Sequence, residues 1–121
     1  MILADTSVWI DHLRSENLQL TVLLRDDQVL MHPMVIGELA CGNLPNREDT
    51  LTELMKLPVP PIATDDEVLF FIERHQLMGR GIGYIDAHLL ASVAISSSDL
   101  LWSNDRRLVD AAADLNLAWP S

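Results

Sequence analysis

The chain has 121 residues, 49% of them hydrophobic, and its 18 acidic against 8 basic side chains give a formal charge of −10. That length suits one domain, residues 1–121, with a real core and no room for a second, and the charge argues against a broad basic face for nucleic acid. A single cysteine, Cys41, excludes an internal disulfide and a zinc site of several thiolates, while the lack of a long apolar run or a basic leader gives the expectation of a soluble, cytoplasmic protein with no membrane partner.

Ile2 to Asp5 reads as a buried strand that passes into a helix through Val8, Trp9, His12 and Leu13, with Thr6 or Ser7 able to cap it. Leu18 to Arg25 reads as a second helix and Gln28 to Met31 as a second strand; Pro33 then suits the first position of a helix over Met34 to Cys41. A helix over Arg47 to Leu57 stops at the prolines 58, 60 and 61, beside which a brief strand around Ile62 is expected. Thr64-Asp65-Asp66-Glu67 has the composition of a helix start, with a hydroxyl cap and acids in the first turn, and the helix should run to about Met78 before Gly79, Gly81 and Gly83 break it. Tyr84 to Ser96 reads as a helix, Leu100 to Trp102 as a strand, Asp105 to Leu115 as a helix and Leu117 to Trp119 as a last edge strand. Strands alternating with helices imply an α/β fold with a mostly parallel sheet covered on both faces.

Ligands in such sheets sit outside the carboxyl ends of the strands, and the first and third strands each end in hydroxyl and carboxylate groups: Asp5-Thr6-Ser7 and Ser103-Asn104-Asp105. Helical spacing adds two acids to these. Asp86 shares a face with Leu89, Leu90 and Val93, Asp105 with Leu108, Val109 and Ala112, and Glu38 is flanked by Met34, Val35 and Cys41, so all three are expected to point inward. Glu73 has apolar neighbours too, so periodicity nominates acids without proving them. Singly, each has a structural reading: Asp5 as a turn acid, Asp105 as a helix-start acid, Asp86 or Glu38 as the partner of an arginine. Together, four inward carboxylates need compensation, and the only lysine is Lys56 in another helix. A hard divalent cation, Mg²⁺ or Mn²⁺, supplies it through oxygen ligands.

Four segments, Ile2 to Ile10, Gly37 to Gly42, Ile85 to Ser92 and Leu101 to Leu108, resemble in order and spacing the PIN domain ribonucleases, and more narrowly the VapC-type toxins of bacterial toxin-antitoxin pairs. The resemblance covers essentially the whole chain. It implies a PIN-like three-layer sandwich and an acidic quartet of Asp5, Glu38, Asp86 and Asp105, with Ser103 as the hydroxyl beside the last acid. It also implies endonucleolytic RNA cleavage with Mg²⁺ or Mn²⁺, a cognate antitoxin protein that blocks the site, and a toxin homodimer.

Under this reading Asp5 is the central metal ligand, Glu38 and Asp86 complete the coordination or orient the water, and Asp105 binds a second ion. Ser103 and Thr6 orient carboxylates, although either can be a simple helix cap. Arg80, in the glycine-rich segment, and Arg106 with Arg107, beside Asp105, are the candidate phosphate contacts, with surface ion pairing ranked slightly ahead for Arg107; Asp110 with Arg106 and Arg107, and Asp11 with Arg14, read as surface ion pairs. The four histidines have no spacing that suggests a metal site, and Trp9 belongs in the core or at a groove that receives an antitoxin helix. Two alternatives compete. A phosphoaspartate domain also places acids at strand ends, but it needs a late lysine, and none follows Lys56; a catalytically inactive PIN-like module would grip RNA or protein without cutting it.

Overall fold

In the computed structural model, which describes residues 1–120, strands β1 (Ile2–Ala4), β2 (Val29–Leu30) and β3 (Leu100–Trp102) form a parallel sheet in the order β2-β1-β3. Ile2 and Leu3 pair with Val29 and Leu30 on one side, and Ile2, Leu3 and Ala4 pair with Leu100, Leu101 and Trp102 on the other. Successive residues of a strand point to opposite faces, yet all three of β1 are buried, so helices cover the sheet on both sides. The helices are α1 (Thr6–Arg14), α2 (Leu18–Arg25), α3 (Pro33–Ala40), α4 (Arg47–Leu54), α5 (Asp65–His75), α6 (Tyr84–Ile95) and α7 (Arg106–Asp114).

Local chemistry sets most of the helix starts. Asn17 caps α2 by accepting Leu20 N–H, and Thr64 and Glu67 close a reciprocal capping box on α5. Pro33 opens α3 as its sequence predicts, and the cap is a histidine: His32 Nδ1 accepts Met34 N–H at 3.0 Å. His32 and His88 are both buried, with ring centroids 6.4 Å apart. Burial, reinforced by His88, lowers the His32 imidazole to about 4, so it serves the fold as a neutral ring.

Three expected elements differ. Residues around Ile62 form no strand, because only Met31 N–H reaches that segment, at Pro58 O, and prolines 60 and 61 offer no donors to extend the pairing. The last edge strand shrinks to one parallel bridge between Leu101 and Ala118. α5 ends at Gln76, which adopts φ 52°, three residues before the first glycine; Leu77 N–H then closes the turn on Ile72 O. Trp9 lies in the core with 2% exposure.

Candidate active site

Asp5 follows the last residue of β1, and its N–H still donates to Trp102 O at 2.9 Å, so the ladder with β3 continues one step past Ala4. Asp5 and Ser103 therefore leave the sheet side by side at the carboxyl ends of neighbouring parallel strands, where a crevice forms. Asp5, rather than Thr6 or Ser7, caps α1: its Oδ1 accepts Val8 N–H at 3.2 Å. Ser7 Oγ also donates to Oδ1, and Ser103 Oγ donates to Oδ2, both at 2.5 Å.

The two hydroxyls are themselves held. Ser103 Oγ accepts Asp105 N–H and Ser7 Oγ accepts Asn104 N–H, each at 2.9 Å. The turn at 103–105 thus grips both oxygens of Asp5 through two serines, and hydrogen bonds of this kind to a carboxylate are among the strong ones. Asp5 is 5% exposed; burial pushes its carboxyl above the ordinary carboxylate range, and the hydrogen bonds from Ser103, Ser7 and Val8 draw it back. Ser7 was missed in the sequence as a supporting hydroxyl. Its signal was its position, two residues past an acid that caps a helix.

The other acids come from three helices. Asp86, half-buried in the first turn of α6, accepts Gly83 N–H on Oδ2 at 2.9 Å. Its pKa is raised first by burial and then by the charges of Asp5, Asp105 and Glu38, with the Gly83 N–H opposing the shift. The charges of the other three acids thus reach Asp86. Glu38, near the end of α3, accepts a hydrogen bond from Thr6 Oγ1 at 2.5 Å across the contact between α1 and α3. Asp105 caps α7 through Arg107 N–H at 2.9 Å.

Burial of the four is uneven. Apolar neighbours predicted Glu38 and Asp105 to point inward, yet both are exposed. Glu38 lies between buried Val35 and Leu39 in the last turn of α3, at the flank of the covered stripe, and Asp105 precedes the first turn of α7. Arg80 is tied to Asp114 at 2.8 Å, and Arg106 is exposed. The ion pairs expected for Asp110 with Arg106 or Arg107 and for Asp11 with Arg14 do not form among the described residues.

Among the described residues none of the four clustered acids is salt-bridged to an arginine, lysine or histidine. Carboxylates and hydroxyls with no thiolate form a hard-oxygen donor set, which fits a divalent cation such as Mg²⁺ or Mn²⁺. Among the same residues no three acid, imidazole or thiol groups already stand around one point as a finished cage. Two of the acids are exposed, so their side chains have room to swing inward.

The PIN domain family model matches residues 2–114. Ribonuclease VapC32 of Mycobacterium tuberculosis, from each of two strains, is 48% identical over 118 residues, covering 98% of this chain and 95% of the relative. A crystal structure of PAE2754 from Pyrobaculum aerophilum has the same fold, with a TM-score of 0.61 at 20% identity over 92% of this chain and 78% of that one.

Proposed function

The chain belongs to the PIN domain family, and on that footing we propose that it is a metal-dependent endoribonuclease, the toxin of a type II toxin-antitoxin pair. Its 48% identity to Ribonuclease VapC32 supports the activity. What supports the site assignment is that Asp5 leaves β1 beside Ser103 at the end of β3, and that none of Asp5, Glu38, Asp86 and Asp105 has a salt-bridge partner among the described residues. Nothing among the described residues compensates that charge, and a divalent cation would.

Asp5 is the central ligand because it alone is both buried and immobilised on two sides. Ser103 and Ser7 fix its plane; Oδ1 already accepts from Ser7 Oγ and Val8 N–H, so Oδ2, which accepts from Ser103 alone, is the oxygen with an acceptor position left for a cation. Asp86 offers Oδ1, since Oδ2 is engaged by Gly83, and it binds metal or orients the attacking water. Glu38, steadied by Thr6, and Asp105, steadied by its own helix start, close the site from the exposed side. A divalent cation held by these acids would supply positive charge to the phosphate and would lower the pKa of a bound water. The protein itself contributes no nucleophile. Arg80 and Arg106 remain proposed contacts to the RNA backbone, Arg80 after release from its exposed pair with Asp114.

Purified free of partner, the protein should cleave RNA in Mg²⁺ or Mn²⁺ and stop in EDTA. Cleavage that persists in EDTA would end the metal mechanism, and cation binding without turnover on any RNA pool would favour the non-cleaving module.

Two protein partners belong to the proposal. The first is a cytoplasmic antitoxin. A groove of about 380 Å³ lined by Ile10, Leu13, Leu39 and Leu44 runs up to Glu38, so an apolar segment lying in it ends beside the acids, where a basic side chain finds charge complementarity. The second is another copy of this chain. α5 exposes Leu69 and Phe70 at its middle, with Asp66 and Glu67 before them and Arg74 and His75 after, along an apolar groove of about 500 Å³ that also includes Ile95. Two copies of α5 packed antiparallel about a two-fold axis near Phe70 set the acids of each against the bases of the other, the self-complementary pattern of an isologous dimer. Phe70→Glu should therefore convert a dimer to a folded monomer in sedimentation equilibrium; a dimer unaffected by it would place the interface elsewhere.

A further inference from the structure

Arg107 is held in a position that neither its sequence context nor ion pairing accounts for. The segment 77–83 joins α5 to α6 and bends through Gly79 and Gly81, at φ 74° and 80°. A Cβ placed on Gly81 would stand 2.6 Å from Cδ of Arg107, 2.8 Å from its Nη1 and 3.1 Å from its Nε. The arginine side chain therefore lies flat across bare glycine backbone, in space that any other residue would fill. Such a close approach, at a left-handed φ, is a position only glycine serves without strain.

The guanidinium so placed has no carboxylate partner among the described residues, in a chain with 18 acids and 8 bases. Asp110, one turn along α7, does not take it. Both segments that pin it are tied to the acidic cluster. Arg107 N–H donates to Asp105 Oδ1, and the glycine segment ends at Gly83, whose N–H donates to Asp86 Oδ2. An unpaired, exposed cation whose backbone is tied to Asp105 is suited to an anion brought beside these acids.

We propose that Arg107 binds a backbone phosphate of the RNA flanking the bond to be cut, and that the missing Cβ of Gly81 leaves its guanidinium the room it occupies. The inference rests on the ribonuclease reading and adds a substrate-binding residue to it. A guanidinium meets phosphate oxygens with two parallel N–H donors, a geometry lysine cannot reproduce. The contact also answers how so acidic a chain engages RNA: a local cation at the rim serves where a broad basic face is lacking.

The test uses the full chain and bulk transfer RNA or ribosomal RNA, whichever the native protein cuts. Arg107→Ala should raise KM by about tenfold with kcat changed by less than about threefold, and Arg107→Lys should recover only part of the loss. Binding of the same RNA in Ca²⁺, measured against salt, should lose about 0.7 from the slope of log K against log salt in Arg107→Ala, the share of one phosphate contact on a single strand. Gly81→Ala should displace the arginine and reproduce these changes, and Gly81→Ala/Arg107→Ala should be no worse than Arg107→Ala alone. An Arg107→Ala protein with native KM and native salt slope would overturn the assignment while leaving the ribonuclease reading intact. Failure of the native protein to cut or bind either RNA would overturn both. A thermal melt separates misfolded Gly81→Ala from a displaced arginine, and the Arg107 variants decide the question without it.

Discussion

Replacing Asp5 with asparagine should reduce single-turnover RNA cleavage by about a thousandfold or more, roughly 4 kcal/mol of transition-state stabilisation, with the fold retained. The loss is large because no other residue shares the position. Glu38, Asp86 and Asp105 come from helices that approach the crevice, whereas Asp5 stands at the end of the central strand with an oxygen clamped by a serine on either side. The fold survives because the amide keeps most of the same bonds: the asparagine carbonyl can still accept from Val8 N–H and Ser7 Oγ. The bond from Ser103 reverses or is lost, and relief of a buried charge offsets that cost. Circular dichroism and a thermal melt establish the folded state, and a variant that is folded and cleaves within tenfold of the native rate would remove Asp5 from the centre of the mechanism.

Asp86→Asn separates electrostatics from catalysis. In the metal-free protein at pH 7 it should melt higher than native by roughly 3–5 °C, the shift that about 1 kcal/mol produces in a domain of this size. The native carboxylate is destabilising there because burial, then the charges of Asp5, Asp105 and Glu38, raise its pKa. The sign in pH follows. An acid whose folded pKa lies above its unfolded value contributes stability that is full below the unfolded value, near 4, and is lost as pH rises through the folded one. The advantage of Asp86→Asn should therefore vanish as pH falls towards 4. Added Mg²⁺ or Mn²⁺ should stabilise the native protein more than the variant, which should also have lost most of its cleavage. A metal-free variant that melts lower than native at pH 7, or one that gains as much from the cation as native does, would count against a shared charge cluster.

Much of the framework was legible because the relevant forces act within a few residues. The apolar runs at Ile2–Ala4 and Leu100–Trp102 are strands because buried parallel strands read as short continuous apolar stretches. Leu18–Arg25 has the bounds its sequence suggested, with Asn17 as the cap the structure adds, and Pro33 marked the start of α3. The expected strand around Ile62 is absent because an edge strand exists only if a neighbour offers its ladder, and nothing local encodes that offer; Leu117 to Trp119 does reach β3, through Leu101 N–H and O, but only as a single bridge.

The site divides along the same line. Residue types and the order of the four acidic segments belong to the chain itself, and so does the family they indicate, because motif spacing survives in a linear string. Exposure did not. Helical periodicity describes a stripe on one helix, and whether Glu38 or Asp105 is covered depends on where the neighbouring elements stop. Only folding sets Ser103 on Oδ2 of Asp5, Thr6 on Glu38 and Arg107 across Gly81. Asp5 and Ser103, like Arg107 and Gly81, are brought together by strand register and helix packing, and no term local to either segment can specify a distance to the other.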